Sequence, residues 1–167
     1  MPHPIVEHIP SLRRYARALR GSRADADDLV QDTLERAYRK WHLWRRGSGV
    51  RPWLFAIMHG VFENQRKLAR NRVQAVAPEE LPELAVVGTQ EKAVEVLDVA
   101  EAAKRLPDAQ REALLLVALE ELSYADAARI LDVPVGTVMS RLAAARARLR
   151  ELVSHPGAAA GEKLVTS

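Results

Sequence analysis

Apolar residues recur at three- and four-residue steps along most of the chain, and no stretch alternates with a period of two. Ile5, Ile9, Leu12, Ala16 and Leu19 predict a helix over Ile5 to Arg20, with Gly21 placed for a left-handed C-terminal cap. A second stripe, Val30, Leu34, Ala37, Tyr38 and Trp41, follows Ser22 and Asp25, either of which offers a short side-chain oxygen to first-turn amides. Gly47-Ser48-Gly49 interrupts the pattern. It resumes over Arg51 to Arg70, with Leu54, Ile57, Met58, Val61 and Leu68 facing inward.

From Val73 to about Gln90 the character changes, because Pro78, Pro82 and Gly88 punctuate a run containing Glu79, Glu80 and Glu83. Residues 77–90 therefore read as an acidic linker. Helical pattern returns over Glu91 to Leu106, breaks at Leu106-Pro107-Asp108, and continues over Ala109 to Leu119, Tyr124 to Leu131 and about Pro134 to Val153. Residues 154–167 have little to bury and are expected to be disordered. The predicted architecture is all-α: two small helical domains, 1–76 and 91–153, joined by a flexible linker.

The 167 residues are 48% hydrophobic, enough to bury a core. No apolar run reaches the roughly eighteen residues needed to cross a bilayer, and Met1-Pro2-His3-Pro4 lacks the basic start of a signal peptide, so a cytoplasmic location is expected. With no Cys, and with His3, His8, His42, His59 and His155 scattered, neither a thiol nucleophile nor a metal or other cofactor is expected. The net charge of +3 conceals an asymmetry. Residues 1–77 hold 15 Lys/Arg against 7 Asp/Glu, whereas residues 78–107 hold 3 against 7 and residues 108–153 hold 6 against 7. A basic first half suits a polyanion, although a solvated helix surface has the same composition.

The sharpest local pattern runs from Leu122 to Leu142. Ser123 and Asp126 are spaced like a capping box, Ala127 and Ala128 allow close helix approach, and Pro134 suits a first helical turn. Two helices joined by a short turn result, a helix-turn-helix. At about 100° per residue, Val138, Leu142, Ala145, Leu149 and Leu152 share the buried side of the second helix. Gly136, Ser140, Ala143 and Ala147 lie opposite, flanked by Arg146 and Arg150 on one edge and Arg141 and Arg148 on the other. Such a ridge fits a major groove, with guanidinium groups reaching both phosphate rows; a plain helical hairpin with solvating arginines has the same pattern.

Two segments together resemble the extracytoplasmic-function (ECF) sigma factors of bacterial RNA polymerase. Asp25-Ala26-Asp27-Asp28-Leu29-Val30-Gln31-Asp32-Thr33-Leu34-Glu35-Arg36-Ala37-Tyr38, with Arg51-Pro52-Trp53-Leu54-Phe55-Ala56-Ile57-Met58, is similar to the family's second conserved region. Leu106-Pro107-Asp108-Ala109-Gln110-Arg111-Glu112-Ala113-Leu114 through Ser140-Arg141-Leu142 is similar to its fourth. The resemblance implies a promoter-recognition subunit, not an enzyme, acting with core RNA polymerase. The first domain would dock on the polymerase clamp helices and open the minus-ten element as single strands. The second would bind duplex DNA at the minus-thirty-five element and the polymerase flap. The resemblance also implies control by an anti-sigma factor and a stress or envelope regulon.

On that basis Asp28, Leu29, Gln31, Asp32 and Glu35 are the candidate polymerase contacts. The polar members recur at three- and four-residue steps, a pattern that serves a basic partner or helix capping equally. Trp53, Gly60, Asn64, Lys67 and Arg70 are the minus-ten candidates: bases can stack on an aromatic ring, an amide can read their edges, and cations take phosphate. Taken alone, Trp53 reads sooner as a core aromatic than as a base platform. Thr137, Met139, Ser140, Arg141, Ala143, Ala144, Arg146 and Arg148 are the minus-thirty-five candidates.

Five positions depart from the family. Gly60 stands where many relatives place Asn. Met139, Ala143 and Ala144 stand where cationic or aromatic residues are frequent, leaving Ser140 and Arg141 as donors. Asp132 replaces a frequent Gly in the turn, a mild change because Asp tolerates a left-handed conformation. Two rival functions are a sigma mimic that sequesters an anti-sigma factor and a simple helix-turn-helix repressor.

Overall fold

A computed structural model describes residues 3–47, 49–75 and 101–154. The predicted linker and all of 91–100, together with the tail beyond Ser154, lie outside the described residues. Among the described residues there is no strand, and no helix is long and apolar enough to cross a membrane.

A short 3-10 turn, Val6–His8, leads into α1, Ile9–Leu19, which has Pro10 in its first turn, where a missing amide costs nothing. The chain leaves α1 through Arg20 in an extended conformation, and Gly21 does not take the left-handed cap expected of it. Helix α2, Arg23–Arg39, starts where the Ser22 hydroxyl accepts from the Asp25 amide at 3.0 Å. It stops before Trp41, which lies in a separate 3-10 turn, Trp41–Leu43. Gly47, at φ +114°, supplies the reversal before α3, Val50–Ala75.

In the second half, a helical turn at residues 101–104 precedes α4, Asp108–Leu114. Helix α4 widens into a π turn, Leu115–Leu119, and Glu121 at φ 56° ends it. Helix α5, Tyr124–Leu131, is capped by Ser123, whose hydroxyl accepts from the Asp126 amide at 3.0 Å. The Asp126 carboxylate bonds Arg129 at 2.8 Å, so only this half of the capping box forms. Asp132 sits in the left-handed region, φ 55° and ψ 50°, and α6, Val135–Ser154, follows.

Helix α2 packs between α1 and α3, and α6 packs on α4 and α5; in addition α3 packs on α5, and α1 on α4 and the π turn. One apolar core therefore runs through both halves, from Leu12, Leu29 and Leu54 to Leu116, Ile130 and Leu142. Two inward assignments fail. Leu68 is 52% exposed, because α3 outruns the layer beneath it, and Tyr38 is 47% exposed beside His3, where the two rings meet edge to face. Phe55 and Phe62 are buried; Phe62 has Arg20 and Arg66 over its ring at 5.6 and 5.5 Å.

Candidate functional site

Helix α3 presents three faces. At about 100° per residue, Leu54, Met58 and Val61 point into the first-half core. Arg51, His59 and Arg66 lie roughly a third of a turn away and meet the second half. Gly60, Asn64 and Lys67 lie about a further third round, exposed, with Arg70 beyond them. A Cβ at Gly60 would meet only the Arg36 guanidinium, at 4.0 Å. Trp53 is half-buried and packs edge to face on Trp41 at 5.8 Å, which in turn stacks on Trp44 at 5.0 Å. Trp53 thus has a packing role, and only part of its ring is open to a base.

The acidic stripe of α2 divides into free and engaged members. Asp28 and Gln31 are exposed, while Asp32 accepts from Gln65 at 3.0 Å and Glu35 pairs with Arg39 at 2.7 Å. Leu29 is fully buried. It cannot touch a partner through its side chain, since its place one residue after Asp28 turns it from the polar stripe into the core.

On α6 the outward ridge is open. Gly136, Met139, Ser140, Ala143, Ala144 and Ala147 are all exposed, Thr137 is half-buried, and Val138, Leu142 and Ala145 are buried. The Ser140 hydroxyl donates to the Gly136 carbonyl at 3.0 Å, so its proton is spent within the helix. Arg141 is only half-exposed, and its charge reaches His59 of the first half. Arg146 stands exposed, and Arg148 is loosely paired with Glu151 at 3.5 Å.

Sequence reasoning did not find the polar seam where the halves meet. Glu120, whose side chain is wholly buried, accepts from Arg14 Nη2 and Arg51 Nη2, each at 2.8 Å, and from Arg14 Nε at 3.0 Å. The same Arg51 nitrogen donates to the Glu120 carbonyl at 2.7 Å. This hydrogen bonding, with the charge of Glu120, raises the Arg14 pKa. Nearby, His59 Nδ1 lies 2.6 Å from Glu112 Oε1, and Arg66 Nε lies 3.0 Å from Asp108. Burial acts to lower the His59 pKa, but the hydrogen bond and charge of Glu112, aided by Glu63, overcome burial and Arg141 and hold it above the ordinary 6.5. Ligand atoms of His59, Glu63 and Glu112 fall within 4.8 Å of one another. Each carboxylate of the cluster already has a partner within the chain, Glu112 bonded to His59 and Glu63 to Arg66, both at 2.6 Å.

The comparisons match this arrangement. Residues 5–59 fit the family described as the sigma2 domain of PhyR, and residues 97–149 fit sigma-70 region 4. The ECF RNA polymerase sigma factor EcfG of Rhodopseudomonas palustris is 37% identical over 154 residues, which cover 92% of this chain and 85% of that protein. The chain is an ECF sigma factor. As a member of that family it directs promoter-dependent transcription initiation by RNA polymerase. The sigma factor RpoE of Bartonella quintana, solved in complex with the anti-sigma factor NepR, is 34% identical with a TM-score of 0.78, covering 90% of this chain and 94% of that one. The anti-anti-sigma factor PhyR of the same organism, solved with NepR, shares the fold at 20% identity and a TM-score of 0.61, covering 89% of this chain and 49% of that one. In this sigma factor the sigma2 match takes in α1, α2 and the start of α3, and the region 4 match takes in α4, α5 and most of α6, so the two halves are named region 2 and region 4.

Proposed function

We propose that this sigma factor works in the cytoplasm by binding alone, with no catalytic step, and divides promoter recognition between its two regions. Asp28 and Gln31, with Asp32 and Glu35 at the edge, dock on basic helices of core polymerase. The face carrying Asn64, Lys67 and Arg70, with Gly60 and the open part of Trp53, receives the melted minus-ten strand. Melting is then driven by binding the separated strand better than the duplex. Helix α6 lies in the minus-thirty-five major groove, with Ala143 and Ala144 giving close approach and Arg146 and Arg148 on phosphate. Met139, Thr137 and Ser140 supply contacts of shape more than base-specific donors, so DNA deformability contributes to selection.

The observation that supports this reading best is the wholly exposed small-residue ridge of α6, the second helix of a helix-turn-helix whose turn is made by left-handed Asp132. Likeness to RpoE, solved with NepR, supports control by an anti-sigma factor; a stress or envelope regulon is the kind of gene set such control would serve. Run-off transcription with purified core polymerase on a library of upstream sequences tests the reading. Promoter-dependent product is expected, and its absence at saturating sigma factor refutes the reading.

A second reading, a sigma mimic that titrates an anti-sigma factor, is favoured by the match of residues 5–59 to the PhyR domain. Band shifts separate the possibilities: a sigma factor shifts promoter DNA only with core polymerase, a repressor shifts duplex alone, and a mimic shifts neither.

A further inference from the structure

Region 4 presents two buried carboxylates to region 2, and their partners differ in kind. Glu120 is held by Arg14 and Arg51, whose guanidinium groups stay charged at every physiological pH. Glu112, equally buried, is held across the seam by His59 at 2.6 Å, and imidazole is the side chain that changes charge near neutrality. We propose that the His59–Glu112 pair is a proton-operated latch: with His59 protonated it holds region 4 closed on region 2, and loss of the proton lets the two regions separate.

The groups facing His59 come from three helices. Glu63 lies on α3 itself, one turn away, with Arg66 bound to its carboxylate; Glu112 comes from α4; Arg141 comes from α6 and opposes protonation. Tyr15 of α1, near Glu112, is kept neutral by its own burial, reinforced by Glu112 and Glu120. In the separated state the His59 ring is solvated and has ordinary proton affinity. The closed state binds the proton more tightly, so the closing contribution is complete below about pH 6.5 and is lost as pH rises through the elevated closed-state value. A neutral ring can still donate one hydrogen bond, but it no longer neutralises a carboxylate sealed from water. The consequence for promoters rests on the function proposed above; the latch itself does not.

Because the chain has no Cys, Lys40→Cys and Arg150→Cys, both at exposed positions, accept a donor–acceptor dye pair cleanly. Energy transfer is then followed in the full-length chain without polymerase, from about pH 5.5 to about pH 8.5 at constant ionic strength. The open-to-closed ratio is expected to rise about threefold or more across that range. In His59→Gln the pH dependence is expected to vanish, and in Glu112→Gln it is expected to reverse, because burial and Arg141 then oppose protonation of His59 in the closed state, while His59→Lys stays closed throughout. A flat wild-type profile, or an unchanged slope in His59→Gln, overturns the proposal. Circular dichroism verifies each variant, and if His59→Gln fails to fold, Glu112→Gln decides. Transcription is not the readout, so failure of the promoter assay and failure of the latch remain distinguishable.

Discussion

Arg111 shows how much a single side chain can organise. Its guanidinium donates to the carbonyls of Ala103, Lys104 and Leu106, to the Asp108 carboxylate, and to the Leu19 carbonyl at the end of α1. A planar group with five donors can satisfy several helix-end carbonyls at once, and an ammonium cannot. Arg111→Lys is therefore expected to lower stability by about 2–3 kcal/mol, measured by urea denaturation. Gly60 is the opposite case: it lies inside α3 with space for a Cβ and no positive φ. Gly60→Ala should raise stability by about 0.5–1 kcal/mol in the same assay. The left-handed turn at Asp132 was legible from residue type and the burial of Leu29 from its place on the helix, whereas the exposure of Leu68 and Tyr38 depended on where neighbouring elements begin and end.

At the scale of elements, α6 carries the duplex contacts on an exposed ridge, and its arginines are unequal. Arg141 leans toward the seam while Arg146 faces solvent. Arg146→Ala is expected to weaken upstream DNA binding by the polymerase holoenzyme and to lower the slope of log affinity against log salt by about one. The acidic face of α2 gives a parallel test. Asp28→Ala and Gln31→Ala should weaken core polymerase binding in a pull-down titration while moving stability by no more than about 0.5 kcal/mol, since both side chains are exposed. The π turn at Leu115–Leu119 was not legible, because periodicity near 3.6 does not distinguish a wider turn over five apolar residues.

For the whole molecule, a shared core and a charged seam join the two regions, and cooperative unfolding is expected. All three tryptophans, Trp41, Trp44 and Trp53, lie in region 2, so their fluorescence reports that region while far-UV circular dichroism reports both. The two signals should give coincident denaturation curves in mildly acidic solution. Glu120→Gln should cost about 2–3 kcal/mol and pull the two curves apart. It leaves Arg14 and Arg51 without their buried counter-charge, a loss moderated because Arg14 is half-exposed.

Helix existence, the helix-turn-helix, the caps at Ser22 and Ser123 and the exposed ridge of α6 were all determined by the chain itself, because each rests on interactions within a few residues. How the two helical clusters meet was decided only in three dimensions. Glu112 and Glu120 border an apolar run as surface acids commonly do, and nothing local marks them as buried. Their burial follows from partners that stand far away in sequence, Arg14 and Arg51 for Glu120 and His59 for Glu112, because a carboxylate leaves water only where tertiary contact supplies hydrogen bonds and counter-charge.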